Sequence, residues 1–368
     1  MSIQIKAAVA RGQGADLTIE QLSLEEPRAD EILVRVVATG VCHTDLVVIE
    51  GHLPTPMPAV LGHEGAGIVE RVGADVTKVK PGDHVVMTFN SCGTCPSCQD
   101  HEEAYCHEFF PRNFFATRPD GTMAISRGAE QIHSNFFGQS SFATHALCHA
   151  LNVVKVPVDA PLALLGPLAC GIQTGAGAVM NALRVKEGKS FVVFGAGSVG
   201  LSAVMAAKVN GARIIVAVDL HEERLALAKE LGATHVINAQ SDTVVDQLRE
   251  IGEFGVDYAL DTTGLPQVIR QAVEALAPRG SCAILGAPAP DSQIRLDNTD
   301  FMSAGKRLMG VVEGASHPDS FIPKLIALWQ AGRFPFDRLV RFYDFEDINE
   351  AIHDSFTGAA IKPVLQIG

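Results

Sequence analysis

Hydrophobic and polar residues follow two different rhythms along this chain. Up to about residue 155 apolar positions recur every second residue, in short runs cut by glycine and proline. Ile32, Val34 and Val36 share one face of such a run, and Pro81-Gly82-Asp83 turns the chain before Val85-Val86-Met87. That alternation predicts an irregular β domain.

From about residue 190 strand and helix signals take turns. Phe191-Val192-Val193-Phe194 lead straight into Gly195-Ala196-Gly197-Ser198-Val199-Gly200, a strand entering a glycine turn. Val199, Ala203, Ala206 and Ala207 then recur at helical spacing until Asn210-Gly211, and a second strand from Ile214 to Val218 ends on Asp219. Further helices are predicted over 222–231, 243–251 and 267–276, with strands over 235–237, 258–261, 282–285 and 308–312. Repeated strand–helix–strand units of this kind predict a doubly wound α/β sheet. A joining helix is expected over 174–183, another over 321–330, and a closing strand over 363–367.

The glycine turn carries the first chemistry. One glycine of G-x-G-x-x-G makes the tight turn, one lets the backbone approach a pyrophosphate, and one lets helix and strand pack closely. The phosphates then meet the free amides of the helix N-terminus. Gly195, Gly197, Ser198, Val199 and Gly200 are therefore candidate cofactor contacts. Asp219, nineteen residues past Gly200, stands where an acid meets the ribose 2′-hydroxyl of NAD and repels the extra phosphate of NADP. NAD is the expected cofactor, with Arg224 as a candidate second ribose contact.

Composition narrows the class. The 368 residues suffice for two domains, and 47% apolar with 19% charged residues is a globular balance. A net charge of −13 without a basic cluster argues against nucleic acid or an anionic membrane as partner. No apolar run reaches membrane-spanning length, and the alternating Met1-Ser2-Ile3-Gln4-Ile5-Lys6 does not read as a signal peptide. Eight cysteines in that setting imply a reducing compartment, the cytoplasm fitting best, in which clustered thiols serve as metal ligands.

Four of them, Cys92, Cys95, Cys98 and Cys106, fall inside fifteen residues. Four thiolates suit a closed tetrahedral zinc that holds a loop together. An iron–sulfur cluster is the competitor, but the closing C-x₃-C-P of bacterial ferredoxins is missing here. Cys148 and Cys282 have no neighbouring ligand partner and read as small buried residues. Two further landmarks are Val41-Cys42-His43-Thr44-Asp45 and Gly62-His63-Glu64-Gly65. Seven of the eighteen phenylalanines lie between Phe109 and Phe142, where they either line an aromatic pocket or pack a core.

Taken together these residues resemble the zinc-dependent medium-chain alcohol dehydrogenases, over essentially the whole chain. Gly62-His63-Glu64, then Gly67, Gly73 and Val76, follow that family's zinc signature. The segments 40–47, 89–92, 136–142 and 165–175 look most like aryl-alcohol (benzyl alcohol) and geraniol dehydrogenases. The resemblance implies a GroES-like irregular β catalytic domain over 1–170 and 313–368, and an NAD-binding Rossmann domain over 171–312. It also implies a catalytic zinc on Cys42, His63 and Cys170, a ligand set already known from alcohol dehydrogenases. Glu64 would be a transient ligand, Asp45 would orient His63, and Thr44 would take the alcohol proton. His43, Thr174 and Lys362 would face the cofactor.

The implied reaction is reversible oxidation of a primary aromatic or allylic alcohol to its aldehyde, with two zinc ions per chain, in a homodimer or homotetramer. One departure stands out: liver-type members carry a relay histidine where this chain has Val47. Alternatives are a related zinc dehydrogenase acting on a polyol or a formaldehyde–thiol adduct, or a non-catalytic NAD-binding redox sensor on the same fold.

Overall fold

Phe191, Val192, Val193 and Phe194 are all buried, as befits a strand covered on both faces. In the computed structural model, which describes residues 2–289 and 291–368, they lie in strand Ser190–Phe194 of a six-stranded sheet. Its partners are Ile214–Asp219, His235–Asn238, Val256–Asp261, Leu276–Ile284 and Arg307–Gly310. Every pairing is parallel. Numbered within the sheet, the strands run 3-2-1-4-5-6, the doubly wound order that opens a crevice beside the first strand.

The glycine turn explains itself at two positions. Gly195 has a φ of +91°, which only glycine adopts without strain. A Cβ on Gly200 would come within 1.8 Å of the Gly195 carbonyl oxygen, so only glycine lets helix Ser198–Val209 sit so close to the strand.

The helix expected over 174–183 starts earlier and changes character. It is α-helical over Gly171–Gly177 and widens into a π turn over Ala178–Ala182. A Cβ on Gly175 would lie 1.9 Å from the Val199 carbonyl oxygen, so this helix packs backbone to backbone against Ser198–Val209. Leu276, expected to end a helix, instead opens a strand by pairing with Val256, and the helix stops at Glu274. Helix Ile348–Thr357 and strand Val340–Asp344 had no separate signal in the sequence.

The chain divides into two units. One comprises Met1–Cys170, His317–Ile326 and Asp337–Gly368, and the other Gly171–Ser316 and Ala327–Phe336. The return expected at Glu313 thus falls at His317, and residues 327–336 count with the second unit. Among the described residues no single helix is long and apolar enough to cross a membrane.

The first unit is built from two β-sheets, one five-stranded and one seven-stranded. In the larger, Glu31–Gly40 pairs antiparallel with Gly65–Val72, His145–His149 and Lys362–Gln366. Ile32, Val34 and Val36 point to one core face with Val69, Val85, Met87 and Val153. Antiparallel registers place Thr39 opposite Gly65 and Gly40 opposite Val364. The end of the first strand and the beginnings of the other two therefore meet at one edge of the sheet.

Gly175→Ala should cost about 3 kcal/mol, the upper end of the usual overpacking penalty. Calorimetric melting would show it, and a melting temperature equal to that of the wild type would contradict the backbone contact.

Candidate metal and cofactor sites

That shared edge collects the chemistry of the first unit. Cys42 follows strand Glu31–Gly40, His63 and Glu64 precede Gly65–Val72, and Lys362 opens Lys362–Gln366. Cys170 comes from a separate element, the turn Gly166–Ala169, whose last carbonyl accepts a 2.7 Å hydrogen bond from the Thr88 hydroxyl. Gly40 and Gly166 leave room for this convergence. A Cβ on Gly40 would meet Glu64 Oε2 at 2.0 Å, and one on Gly166 would meet the Glu64 carbonyl oxygen at 2.3 Å.

Cys42, His63, Glu64 and Cys170 each offer a ligand atom within 4.8 Å of the others. The imidazole of His63 is aimed from behind. Asp45, fully buried in the short helix His43–Ile49, holds His63 Nδ1 at 3.1 Å. The same carboxylate accepts the backbone N–H groups of Cys42 and Gly62, each at 3.1 Å. His63 Nε2 is left buried without a hydrogen-bond partner among the described residues. A buried ring nitrogen is rarely left so, and a carboxylate on the other nitrogen is the usual support of a metal-binding histidine.

Electrostatics agree with a cation. The Cys42 thiol is held far below its ordinary pKa by its hydrogen bond with Cys170, with the charges of His63 and Lys362 outweighing burial. Burial disfavours a charged His63, yet Asp45 and Cys42 keep its pKa well above the ordinary value. Burial pushes Glu64 up to about 7, against the pull of Lys362. A thiolate at Cys42 and a charged ring at His63 are thus both favoured where the ligand atoms converge.

The four-cysteine loop is a second such place. Its sulfurs lie within 4.8 Å of one another, with Cys92 and Cys98 3.9 Å apart. Two sulfurs on one tetrahedral zinc stand about 3.8 Å apart. Amides point at the sulfurs: Cys95 N and Thr94 N at Cys92, at 3.2 and 3.4 Å, and Cys92 N at Cys106, at 3.2 Å. Against burial, the Thr94 and Cys95 amides bring Cys92 down to about 6, whereas burial pushes Cys98 up to about 12. A dication would let all of them ionise. Cys148 and Cys282 are buried and belong to neither group, and burial pushes both thiols up.

In the second unit, Gly197 caps helix Ser198–Val209 without a side chain, and a Cβ there would meet nothing within 4 Å. The helix amides beneath it fit a pyrophosphate. Asp219 ends its strand with Oδ2 accepting from Ala196 N at 2.6 Å and Oδ1 from His221 N at 2.9 Å. Arg224 Nη1 stands 4.0 Å from Asp219 Oδ2, and the Thr174 hydroxyl donates to Glu313 Oε2 at 3.3 Å.

Comparison with known proteins decides the family. Residues 28–158 match the alcohol dehydrogenase GroES-like domain, and residues 198–330 match the zinc-binding dehydrogenase domain. Geraniol dehydrogenase of Castellaniella defragrans is 46% identical over 99% of this chain and 98% of that protein. The chain belongs to the zinc-dependent medium-chain alcohol dehydrogenases. The crystal structure of benzyl alcohol dehydrogenase from Acinetobacter calcoaceticus superposes on this dehydrogenase with a TM-score of 0.97 at 50% identity, covering both chains completely. An alcohol dehydrogenase zinc-binding domain protein from Burkholderia ambifaria gives 0.99 at 53% identity, also over 100% of each chain.

Within this dehydrogenase the structure gives Lys362 and Gln139 surroundings that the sequence did not disclose. Lys362, expected to face the cofactor, is buried instead, with Nζ 2.9 and 3.0 Å from the Glu64 carboxylate oxygens and 3.2 Å from the Val41 carbonyl. Burial would lower its pKa, but Glu64 and Cys42 hold it raised. A lysine at the head of the closing strand was the available signal. Gln139 is buried as well, its Nε2 donating to the His63 carbonyl at 3.0 Å and its Oε1 accepting from Gly65 N at 3.1 Å. His43 is exposed at the start of its helix, while Thr44 Oγ1 lies 3.9 Å from Cys42 Sγ.

The phenylalanines serve both of the roles open to them. Phe136, Phe137 and Phe142 all belong to the core, and Phe136 meets the His63 ring edge-on at 5.6 Å. Phe137 stacks on His63 with ring centroids 4.5 Å apart at 27°. Phe114 meets Phe137 at 5.1 Å and Phe110 meets Phe114 at 4.8 Å, and Phe110 and Phe115 are solvent-exposed. An aromatic path therefore runs from the surface of the unit to a metal-ligand candidate.

Lys362→Met should destabilise the enzyme by about 3–5 kcal/mol, because it strands the buried Glu64 carboxylate. Adding Glu64→Gln should recover much of that loss in urea unfolding; no recovery would mean that the pair is not the reason.

Proposed function

We propose that the enzyme oxidises a primary aromatic or allylic alcohol, of the benzyl alcohol or geraniol kind, reversibly to its aldehyde with NAD as hydride acceptor and two zinc ions per chain. The observation that carries this reading is the cluster of Cys42, His63 and Cys170 with Phe137 stacked on its imidazole. Held by those three side chains, zinc would supply a Lewis acid that lowers the proton affinity of an alcohol oxygen, and the dinucleotide would accept the hydride.

The remaining work falls to the chain itself. Asp45 fixes the tautomer and direction of His63. Thr44 Oγ1, beside Cys42, accepts the proton released by the alcohol. Val47 is apolar, so the proton leaves Thr44 without a relay histidine. The Phe110–Phe114–Phe137 path favours a flat or unsaturated apolar group over a polyol or a charged thiol adduct, since rings offer stacking area and no hydrogen bonds. Cys92, Cys95, Cys98 and Cys106 would hold the second zinc as a loop staple. Asp219 supports NAD, because a carboxylate at the end of that strand opposes a 2′-phosphate.

Cys42→Ala or His63→Ala should abolish NADH formation from benzyl alcohol and geraniol while NAD binding, followed by calorimetry, persists. Activity surviving both changes would remove the proposed site. Asp219→Gly should move the kcat/KM ratio of NAD to NADP toward NADP by about tenfold or more, roughly 1.4 kcal/mol. An unchanged ratio would place the ribose contact elsewhere.

A further inference from the structure

A third group of metal-ligating side chains lies outside both clusters. We propose that His101, Glu103 and His317 form an additional site for a first-row divalent cation such as zinc, weaker and more exchangeable than the other two. Their ligand atoms lie within 4.8 Å of one another. His317 Nδ1 is 2.8 Å from Glu103 Oε1, and His101 Nδ1 is 3.8 Å from the same oxygen. The two imidazoles meet at 4.8 Å between centroids and 63° between planes. Ligands on a tetrahedral zinc with nitrogen and oxygen donors stand about 3.3 Å apart. The observed spacings of 2.8 and 3.8 Å to the Glu103 oxygen bracket that value.

A second observation is independent of the spacing. Glu103 Oε2 is buried and has no hydrogen-bond partner among the described residues. Oε1 already serves His317, so the second oxygen is a lone acceptor shielded from water, which is costly unless something positive meets it. Two imidazoles and a carboxylate are the donor set that zinc shares with neighbouring first-row ions.

The place in the fold gives the site a role. His101 and Glu103 lie on the loop between Cys98 and Cys106. His317 immediately precedes helix Pro318–Gln330 and lies 214 residues from Glu103 in sequence. A cation there would clip the cysteine loop to the segment by which the chain re-enters the first unit. The His101 side chain is 75% exposed and that of His317 33%. Water can therefore complete the coordination, and the ion can exchange without unfolding the loop.

Full-length enzyme dialysed first against a mild chelator and then against excess zinc, with bound metal counted by elemental analysis, should hold one more zinc ion per chain than His101→Ala or His317→Ala treated alike. Glu103→Gln should lose the same ion, and His101→Ala, a surface change, should oxidise alcohol at the wild-type rate. Equal zinc content in the wild type and all three variants would overturn the proposal, leaving a hydrogen-bonded His317–Glu103 pair. The site does not rest on the alcohol reading. Loss of activity in Cys42→Ala speaks to that reading alone, whereas the zinc difference between wild type and the histidine variants speaks to this one.

Discussion

The Asp45 carboxylate is buried beyond reach of water, and three N–H groups converge on it: the amides of Cys42 and Gly62 and the ring of His63. One side chain thereby sets the start of a helix, the position of the first sulfur and the direction of the imidazole. The sheet makes this geometry available, because antiparallel register brings the end of one strand and the beginning of its neighbour to the same edge. The convergence of Cys42 and His63 depends on that carboxylate staying where the register puts it.

Around it the protein tolerates an unusual density of buried charge. Lys362 and Glu64 are both shielded from solvent and pair with each other, beside a thiol whose pKa is held low. Burying either charge alone would be strongly unfavourable. The pair is sustainable because the ammonium meets both carboxylate oxygens and a backbone carbonyl. Networks of this sort specify a single arrangement when they are fully satisfied. The pinched backbone around Gly40 and Gly166 is the steric counterpart of the same requirement.

Much of this was legible in the amino-acid sequence because it is local. The glycine turn, the strand ending on Asp219 and the cysteine spacing each declare themselves within a few residues, and the parallel sheet follows from the repeated strand–helix rhythm. What escaped was non-local. Nothing near Lys362 announces Glu64, 298 residues earlier, and nothing near Gln139 announces the His63 carbonyl. The double service of the phenylalanines was equally hidden, since Phe136 and Phe137 are both buried in the core and both meet the His63 imidazole. Phe137 takes a left-handed backbone, φ +50°, to do so, a conformation that tertiary contacts impose and no local preference foretells. Helix boundaries shifted where packing overrode propensity, as at Leu276.

All four members of the Cys42 cluster, with Asp45 and Lys362, come from the first unit, and Cys170 is the last residue before the chain crosses into the second. The nucleotide fingerprint lies wholly on the far side of that crossing. Under the proposed function, metal retention and coenzyme choice are therefore inherited on separate stretches of the gene. On that reading a lineage would exchange one nicotinamide nucleotide for another by altering residues around 195–224 while leaving every proposed ligand of the ion untouched.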